Sequence, residues 1–333
     1  MVPDWSYFIP GPGRPGPVNF SREGRYPMFH RKAKSQRTGQ KIRLRDSDRA
    51  KEFLRASCFL GPSFLGVLLF FIIPFGVVVY YSLIQGPMNN SFVGLQNYIN
   101  VFNNKAFRIA VKNTLVFTGI AVPLSVVLSM VLALILECRI PLKSQFRTFF
   151  LSPLVVPIAS VILVWQVLFH QNGAVNEFLS LFGADKIDWL KSDYCKLVIV
   201  ILFLWKNLGY FMILFMAALN NIPRTLLEVA DVEGASAVHK FFHIKLRYLS
   251  PTVLFVTILS MINSFKIFRE IYLMTGAYPY TGLYMMQHFM NNMFDDLDYQ
   301  RLSAAAVFMA LAMIVLIAIL FAVEDKFGKD VEG

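Results

Sequence analysis

An all-α integral membrane protein with six transmembrane helices is the fold the sequence predicts, and three observations predict it. Of the 333 residues, 56% are hydrophobic and only 16% charged, against about a quarter charged in soluble domains. The charges are clustered: none falls between Arg55 and Lys105, and further charge-free runs cover Asn113–Leu136, Thr148–Asn176, Asn207–Pro223, Tyr248–Phe265 and Leu302–Val323. Each run suits a helix crossing ~30 Å of hydrocarbon with ~20 apolar residues. Inside lipid every backbone N–H and C=O must be satisfied internally, so six such runs read as six helices.

The chain opens with a basic tail, residues 1–56. Residues 1–30 are rich in Pro, Gly and aromatics without periodicity, which predicts irregular structure. Residues 1–55 carry 13 Lys/Arg against five Asp/Glu, which is much of the formal net charge of +11. Basic residues flanking a first span stay in the cytoplasm, drawn to anionic lipid. No aromatic-basic module accompanies the tail, so nucleic acid is not an expected partner. About 55 residues precede the first apolar stretch, too many for a secretory signal, so that stretch is expected to remain as an anchor. Cys58, Cys138 and Cys195 are scattered and imply neither a disulfide framework nor a zinc site.

The first helix is predicted over Phe59–Leu83, interrupted by Pro74, with an outer loop following to residue 108. The core, residues 109–323, holds the other five: Ala110–Leu136, Phe149–Phe169, Leu197–Leu219, Leu249–Thr275 and Ser303–Val323. A short C-terminal tail, residues 324–333, ends the chain. With the N-terminus inside, an even helix count puts both termini in the cytoplasm. The loops mostly agree: Glu137–Arg147 is basic, whereas the two later outer loops carry Glu177, Asp185, Asp188 and Asp193, then Asp295, Asp296 and Asp298. Lys105, Arg108 and Lys112 in the first outer loop depart from the rule.

The informative cytoplasmic loop is residues 220–247. Pro223 suits a first helical turn, and Thr225 with Glu228 offers a capping box as an alternative start. Leu226, Leu227, Ala230 and Val232 form an apolar set, with Gly234 placed to end the helix. A second amphipathic piece contains Phe241, Phe242, Ile244 and Leu246. Two short helices below a bundle make a knob able to seat in a groove on another protein. Composition alone favours the plainer reading, an interfacial helix lying on lipid.

This loop resembles the signature of permease subunits of binding-protein-dependent ABC importers: Glu, two Ala, three variable residues, Gly, nine variable residues, Ile, one variable, Leu, Pro. Glu228, Ala230, Gly234, Ile244 and Leu246 fall at matching positions, while Val229 replaces the second Ala and Arg247 the Pro. The resemblance extends to Val93-Gly94-Leu95-Gln96-Asn97-Tyr98, to Lys112-Asn113-Thr114-Leu115 and to Ser264–Gly276, which look like segments of maltose-type sugar permeases. It implies the type I ABC importer permease fold and import of a sugar, with glycerol phosphate or another polyol ester as the alternative. It also implies the partners: a second homologous permease, two ATPase subunits and an extracytoplasmic solute-binding protein, all working at the plasma membrane. In this family the loop couples to the ATPase, so Leu227, Glu228, Ala230, Asp231, Gly234, Ala235, Ile244 and Leu246 are the expected coupling residues.

Ionisable groups within a span are expensive and usually face a cavity or a partner. Lys206 lies midway along the fourth helix beside Trp205, Asn207 and Tyr210, a grouping able to line a sugar path; the plainer reading is a Lys that pairs or snorkels. Lys266 and Glu270 stand at i,i+4 in the fifth helix and are expected to pair with each other. His239 and His243 have zinc-ligand spacing without a third ligand, and no cofactor or metal is expected. No phosphate-binding glycine loop occurs, so the chain is read as a non-catalytic subunit whose ATPase is another chain. An ion-coupled carrier would need buried carboxylates, which are scarce in the spans, and a membrane enzyme would need a convergent acid, base or metal set.

Overall fold

The computed structural model describes residues 46–86, 91–138 and 141–328, with side chains described between Ser57 and Asp325. The expectations for the tail up to residue 45 and for the last five residues lie outside the described residues. The helices, in order, are α1 (Asp46–Val67), a π turn (Leu68–Ile72), α2 (Ile73–Ser82), α3 (Gln96–Asn103), α4 (Lys105–Glu137), α5 (Lys143–Val155), α6 (Ile158–Leu168) and α7 (Ala174–Ser180). There follow α8 (Cys195–Asn220), α9 (Arg224–Val232), α10 (Ala237–Lys240), a second π turn (Phe241–Lys245), α11 (Leu246–Phe265), α12 (Phe268–Thr275), α13 (Met286–Asp295) and α14 (Tyr299–Gly328). The chain divides into two compact units at Gly61, within α1.

Among the described residues, five helical runs are long and apolar enough to cross a membrane: Ser57–Ser82, Lys105–Glu137, Cys195–Asn220, Ala237–Thr275 and Tyr299–Asp325. The third predicted helix is not straight. It is the pair α5 and α6, bent by 101°. Pro157 explains the break, since its ring pushes the preceding residue out of the helical region, and Val156 is extended at φ −78, ψ 130. Pro74 is handled differently: α1 and α2 continue through the π turn just before it, which gives the missing donor room without ending the span.

The fifth predicted span also differs from expectation. The second amphipathic piece is no separate helix. From Ala237 the chain runs through the π turn into α11, and Pro251 sits inside α11. The run then breaks at Lys266–Ile267 before α12. Arg247, at the place of the family's Pro, is an exposed residue of the first turn of α11.

Helix α8 is central, packed against α4, α5 and α11. Without a hydrophobic force between helices in lipid, close approach rests on small residues and polar side chains. Gly209 of α8 meets α5 so closely that a Cβ there would lie 1.8 Å from the Phe150 carbonyl oxygen. Helices α4 and α11 meet through Ser125 and Ser260 (Oγ to Oγ 2.7 Å) and Thr118 and Ser264 (3.0 Å). The aromatic edges of Phe107, Phe289 and Phe308 join α4, α13 and α14. Large apolar side chains of α1, the first π turn, α2 and α14, among them Phe70 and Ile314, are exposed, the surface a lipid environment would cover.

Two motifs that resembled sugar permeases turn out to be ties. Asn97 Nδ2 donates to the carbonyls of Ser82 (3.0 Å) and Ile84 (2.8 Å), closing the end of α2, and Tyr98 Oη lies 2.8 Å from Ser82 Oγ. Asn113 Nδ2 donates to the carbonyls of Thr281 (2.7 Å) and Tyr284 (3.1 Å), while Thr114 Oγ1 accepts from the Met286 N–H (2.9 Å). These bonds hold the segment before α13 against α4.

Candidate functional site

Beside the break between α11 and α12 lies a cavity of about 650 Å³. Helix α8 lends it Lys206, Asn207 and Tyr210; the α11–α12 region lends Asn263, Lys266, Arg269 and Glu270; and Gln287 of α13 completes the polar lining. Asn263 and Lys266 stand at i,i+3 at the end of α11, and Arg269 and Glu270 follow beyond the break in α12. Asn263 Nδ2 donates to Asn207 Oδ1 (2.9 Å), and Asn207 Nδ2 donates to the Phe203 carbonyl (2.8 Å), so this pair is fixed across α8 and α11.

Glu270 is 1% exposed. Its Oε1 accepts from Lys206 Nζ, with an Arg269 guanidinium nitrogen 3.6 Å away, while Oε2 is buried without a hydrogen-bond partner. The expected Lys266–Glu270 pair is therefore replaced by an interhelical Lys206–Glu270 pair. The α11–α12 break supplies the reason: the i,i+4 geometry exists only in unbroken helix, and it is interrupted at Lys266–Ile267. Lys266 has no carboxylate within ion-pair distance among the described residues. Of the four residues expected to line a path, Lys206, Asn207 and Tyr210 meet at the cavity. Trp205 does not line it and packs on Trp165, which in turn stacks on Phe169 with centroids 5.1 Å apart. Asn263, Gln287 and Gly209 escaped sequence reasoning, although the i,i+3 spacing of Asn263 and Lys266 was a usable signal for Asn263.

The second feature is the protrusion of α9 and α10 between α8 and α11. Pro223 caps α9, with no Thr225–Glu228 capping box formed. At the other end Gly234 adopts φ +75, the left-handed conformation that glycine takes without strain. The Gly234 N–H donates to the Asp231 carbonyl (3.1 Å) and the Ala235 N–H to the Ala230 carbonyl (2.9 Å). That is a Schellman end, which satisfies orphan carbonyls and turns the chain sharply. Ser236 then caps α10 by accepting from the His239 N–H (3.2 Å).

Two ion pairs brace the protrusion. Lys240 pairs with Asp231, joining α10 to α9, and Lys245 Nζ lies 2.6 Å from Glu137 Oε2 at the end of α4. The apolar set of α9 splits between two faces. Leu227 and Ala230 turn inward, Leu227 with Ile244 against the core that includes Phe215 and Leu249, whereas Leu226, Val229 and Val232 are exposed, Val232 at 90%. Val238 adds to this outward face. Glu228, Asp231 and Gly234 are exposed, and Ala235, Ile244 and Leu246 are half-buried. His239 and His243 stack with centroids 3.9 Å apart, and among the described residues no three His, Cys, Asp or Glu converge on a metal position.

Apolar helices packed around a polar cavity, with a braced helical protrusion between two of them, define a membrane transport subunit. The chain belongs to the family of binding-protein-dependent transport system inner membrane components, whose pattern matches residues 114–333. It is a multi-pass inner-membrane protein, a permease of the ABC importer type. It is 30% identical over 282 residues to the sulfoquinovosyl glycerol transport system permease protein SmoG of Agrobacterium fabrum, across 82% of this chain and 91% of that one. It is 29% identical to the arabinooligosaccharides transport system permease protein AraP of Halalkalibacterium halodurans, across 60% and 67%. Its fold matches a subunit of a bacterial ABC transporter that imports the acidic polysaccharide alginate, with a TM-score of 0.73 at 21% identity over 84% of this chain and 98% of the other.

Proposed function

We propose that this chain is the permease subunit of a sugar importer, that its cavity beside the α11–α12 break is part of the solute path, and that the protrusion at residues 220–247 receives an ATPase subunit. In this reading α5 and α6 together make the third of six crossings, both termini face the cytoplasm, and the complex is completed by a second permease, two ATPase subunits and an extracytoplasmic binding protein. Hydrolysis of ATP belongs to the partner chains. The relatives named for sulfoquinovosyl glycerol and for arabinooligosaccharides support a sugar or glycoside as solute.

The observation that carries the coupling role is the outward apolar face of Leu226, Val229, Val232 and Val238 on a rigid mount. Exposed apolar side chains on an amphipathic helix are what a groove on a second protein takes up. Among the expected coupling residues, Leu227, Ala230 and Ile244 act from beneath by holding α9 to the bundle, Gly234 and Ala235 form its sharp end, and Asp231 braces it through Lys240. Glu228 offers a charge at the rim, and Leu246 begins the helix that leaves the protrusion. From Ala237 the chain runs helically to the break at Lys266, about 43 Å at 1.5 Å per residue. A push on α9 is thereby delivered to the residues that line the cavity, and the break is where the push becomes a bend.

Replacing Val229 and Val232 together by Asp puts two carboxylates on the docking face without touching the core. The protein is expected to accumulate in the membrane while the ATPase subunits cease to co-purify and ATP-driven uptake stops. Normal co-purification with normal uptake would remove the coupling assignment.

A further inference from the structure

The charges around the cavity do not balance. Lys206, Lys266 and Arg269 face a single carboxylate, Glu270, a formal excess of two positive charges. Glu270 Oε1 is occupied by Lys206 with Arg269 at 3.6 Å, so the excess resides on Lys266 and on an Arg269 side chain that is 64% exposed. Uncompensated cations at the depth of a membrane span are costly and are retained where an anion or a water-filled path meets them. Asn263, Asn207, Tyr210 and Gln287 add neutral hydrogen-bonding groups to the same lining.

We infer that the cavity takes a polyhydroxylated solute bearing an anionic group, a carboxylate, sulfonate or phosphate, with Lys266 and Arg269 receiving the anion and the neutral side chains of the lining receiving hydroxyls. A planar guanidinium and a mobile ammonium together serve all three oxyanions. A neutral oligosaccharide would use the neutral groups of the lining and leave the excess charge unmet. The inference rests on the proposed solute path, which it narrows from sugars in general to acidic ones.

The test uses the assembled permease–ATPase complex in nanodiscs of zwitterionic lipid, without the binding protein, so that selectivity belongs to the permease. Four radiolabelled probes of similar size are compared in equilibrium binding: a hexuronate disaccharide, a sugar sulfonate, a sugar phosphate and a neutral disaccharide. The wild type is expected to favour the anionic probes, and Lys266→Gln with Arg269→Gln is expected to lower the anion-to-neutral ratio about tenfold or more, the loss of at least one charge-assisted contact. Lys105→Gln, outside the cavity, should leave that ratio alone. Equal ratios in the wild type and the double variant, or no binding of the anionic probes, overturn the inference. Displacement of the probes by phosphatidylglycerol added to the nanodiscs also overturns it, because the anion would then be a lipid headgroup. Complexes that bind the anionic probes yet show no ATP-dependent uptake when reconstituted with a binding protein in sealed proteoliposomes would sustain the inference and sink the import reading instead.

Discussion

Gly209→Ala isolates a close contact between α5 and α8. The added Cβ would stand 1.8 Å from the Phe150 carbonyl oxygen and 2.5 Å from its carbon, both backbone atoms with no rotamer to yield. Restoring ordinary contact near 3.4 Å demands about 1.6 Å of separation between α5 and α8. Overpacking of a tight interface costs ~1–3 kcal/mol, and a rigid backbone obstacle belongs at the upper end. Helix propensity pulls the other way, since Ala is favoured over Gly by ~1 kcal/mol. The two effects differ in sign, so the outcome decides between them. Gly119→Ala, with nothing within 4 Å of its Cβ, supplies the propensity term alone. Thermal unfolding of the purified protein in nanodiscs should show Gly209→Ala destabilised by roughly 2 kcal/mol and Gly119→Ala unchanged or slightly stabilised. Equal or raised stability in Gly209→Ala would refute the close α5–α8 approach.

Removing Lys206 by Lys206→Met leaves a buried carboxylate with only the longer, exposed Arg269 contact, so it should destabilise more than Glu270→Gln; a double-mutant cycle by thermal unfolding should give a coupling above ~1 kcal/mol, and additive losses would dissolve the pair. Gly234 has open space around it, so only its positive φ resists substitution: Gly234→Ala should weaken ATPase association at a cost of ~1 kcal/mol, and Gly234→Asn, which tolerates that conformation, should lose less in the same pull-down. Burial lowers the His288 pKa from 6.5 to about 4. The folded protein therefore holds this ring neutral, and the stability it contributes is present above pH 6.5 and lost as pH falls through about 4. At full protonation the loss approaches ~3 kcal/mol. Melting profiles between pH 7 and 4 should flatten in His288→Asn, and identical profiles would exclude His288 as the source.

The positions of the spans were legible because their signal is summed over more than twenty residues: α4 and α8 lie within a few residues of the predicted helices. Breaks were less legible. Pro74, Pro123, Pro153, Pro157 and Pro251 look alike in sequence, yet only Pro157 separates two helices, because whether a freed carbonyl finds another partner depends on neighbours brought from elsewhere in the chain. The Lys206–Glu270 pair was hidden for the same reason, lying 64 positions apart, whereas the rejected Lys266–Glu270 pair was attractive only because it was local. In the protrusion, spacing identified the amphipathic helix and the Gly234 turn. It did not reveal which apolar residues face outward, since that depends on how α9 rests, through Leu227, on the core that includes Ile222, Phe215 and Leu249.

The ties from Asn113 and Thr114 have a bearing on how the protein is made. Their partners lie 168 to 172 positions further along the chain. During synthesis Asn113 and Thr114 of α4 are therefore made long before the carbonyls of Thr281 and Tyr284 and the N–H of Met286 exist. Until residues 281–286 have been added, these two side chains must find other hydrogen-bond partners. A ribosome stalled before residue 281 would hold a nascent protein in which this tie across the chain is still unmade.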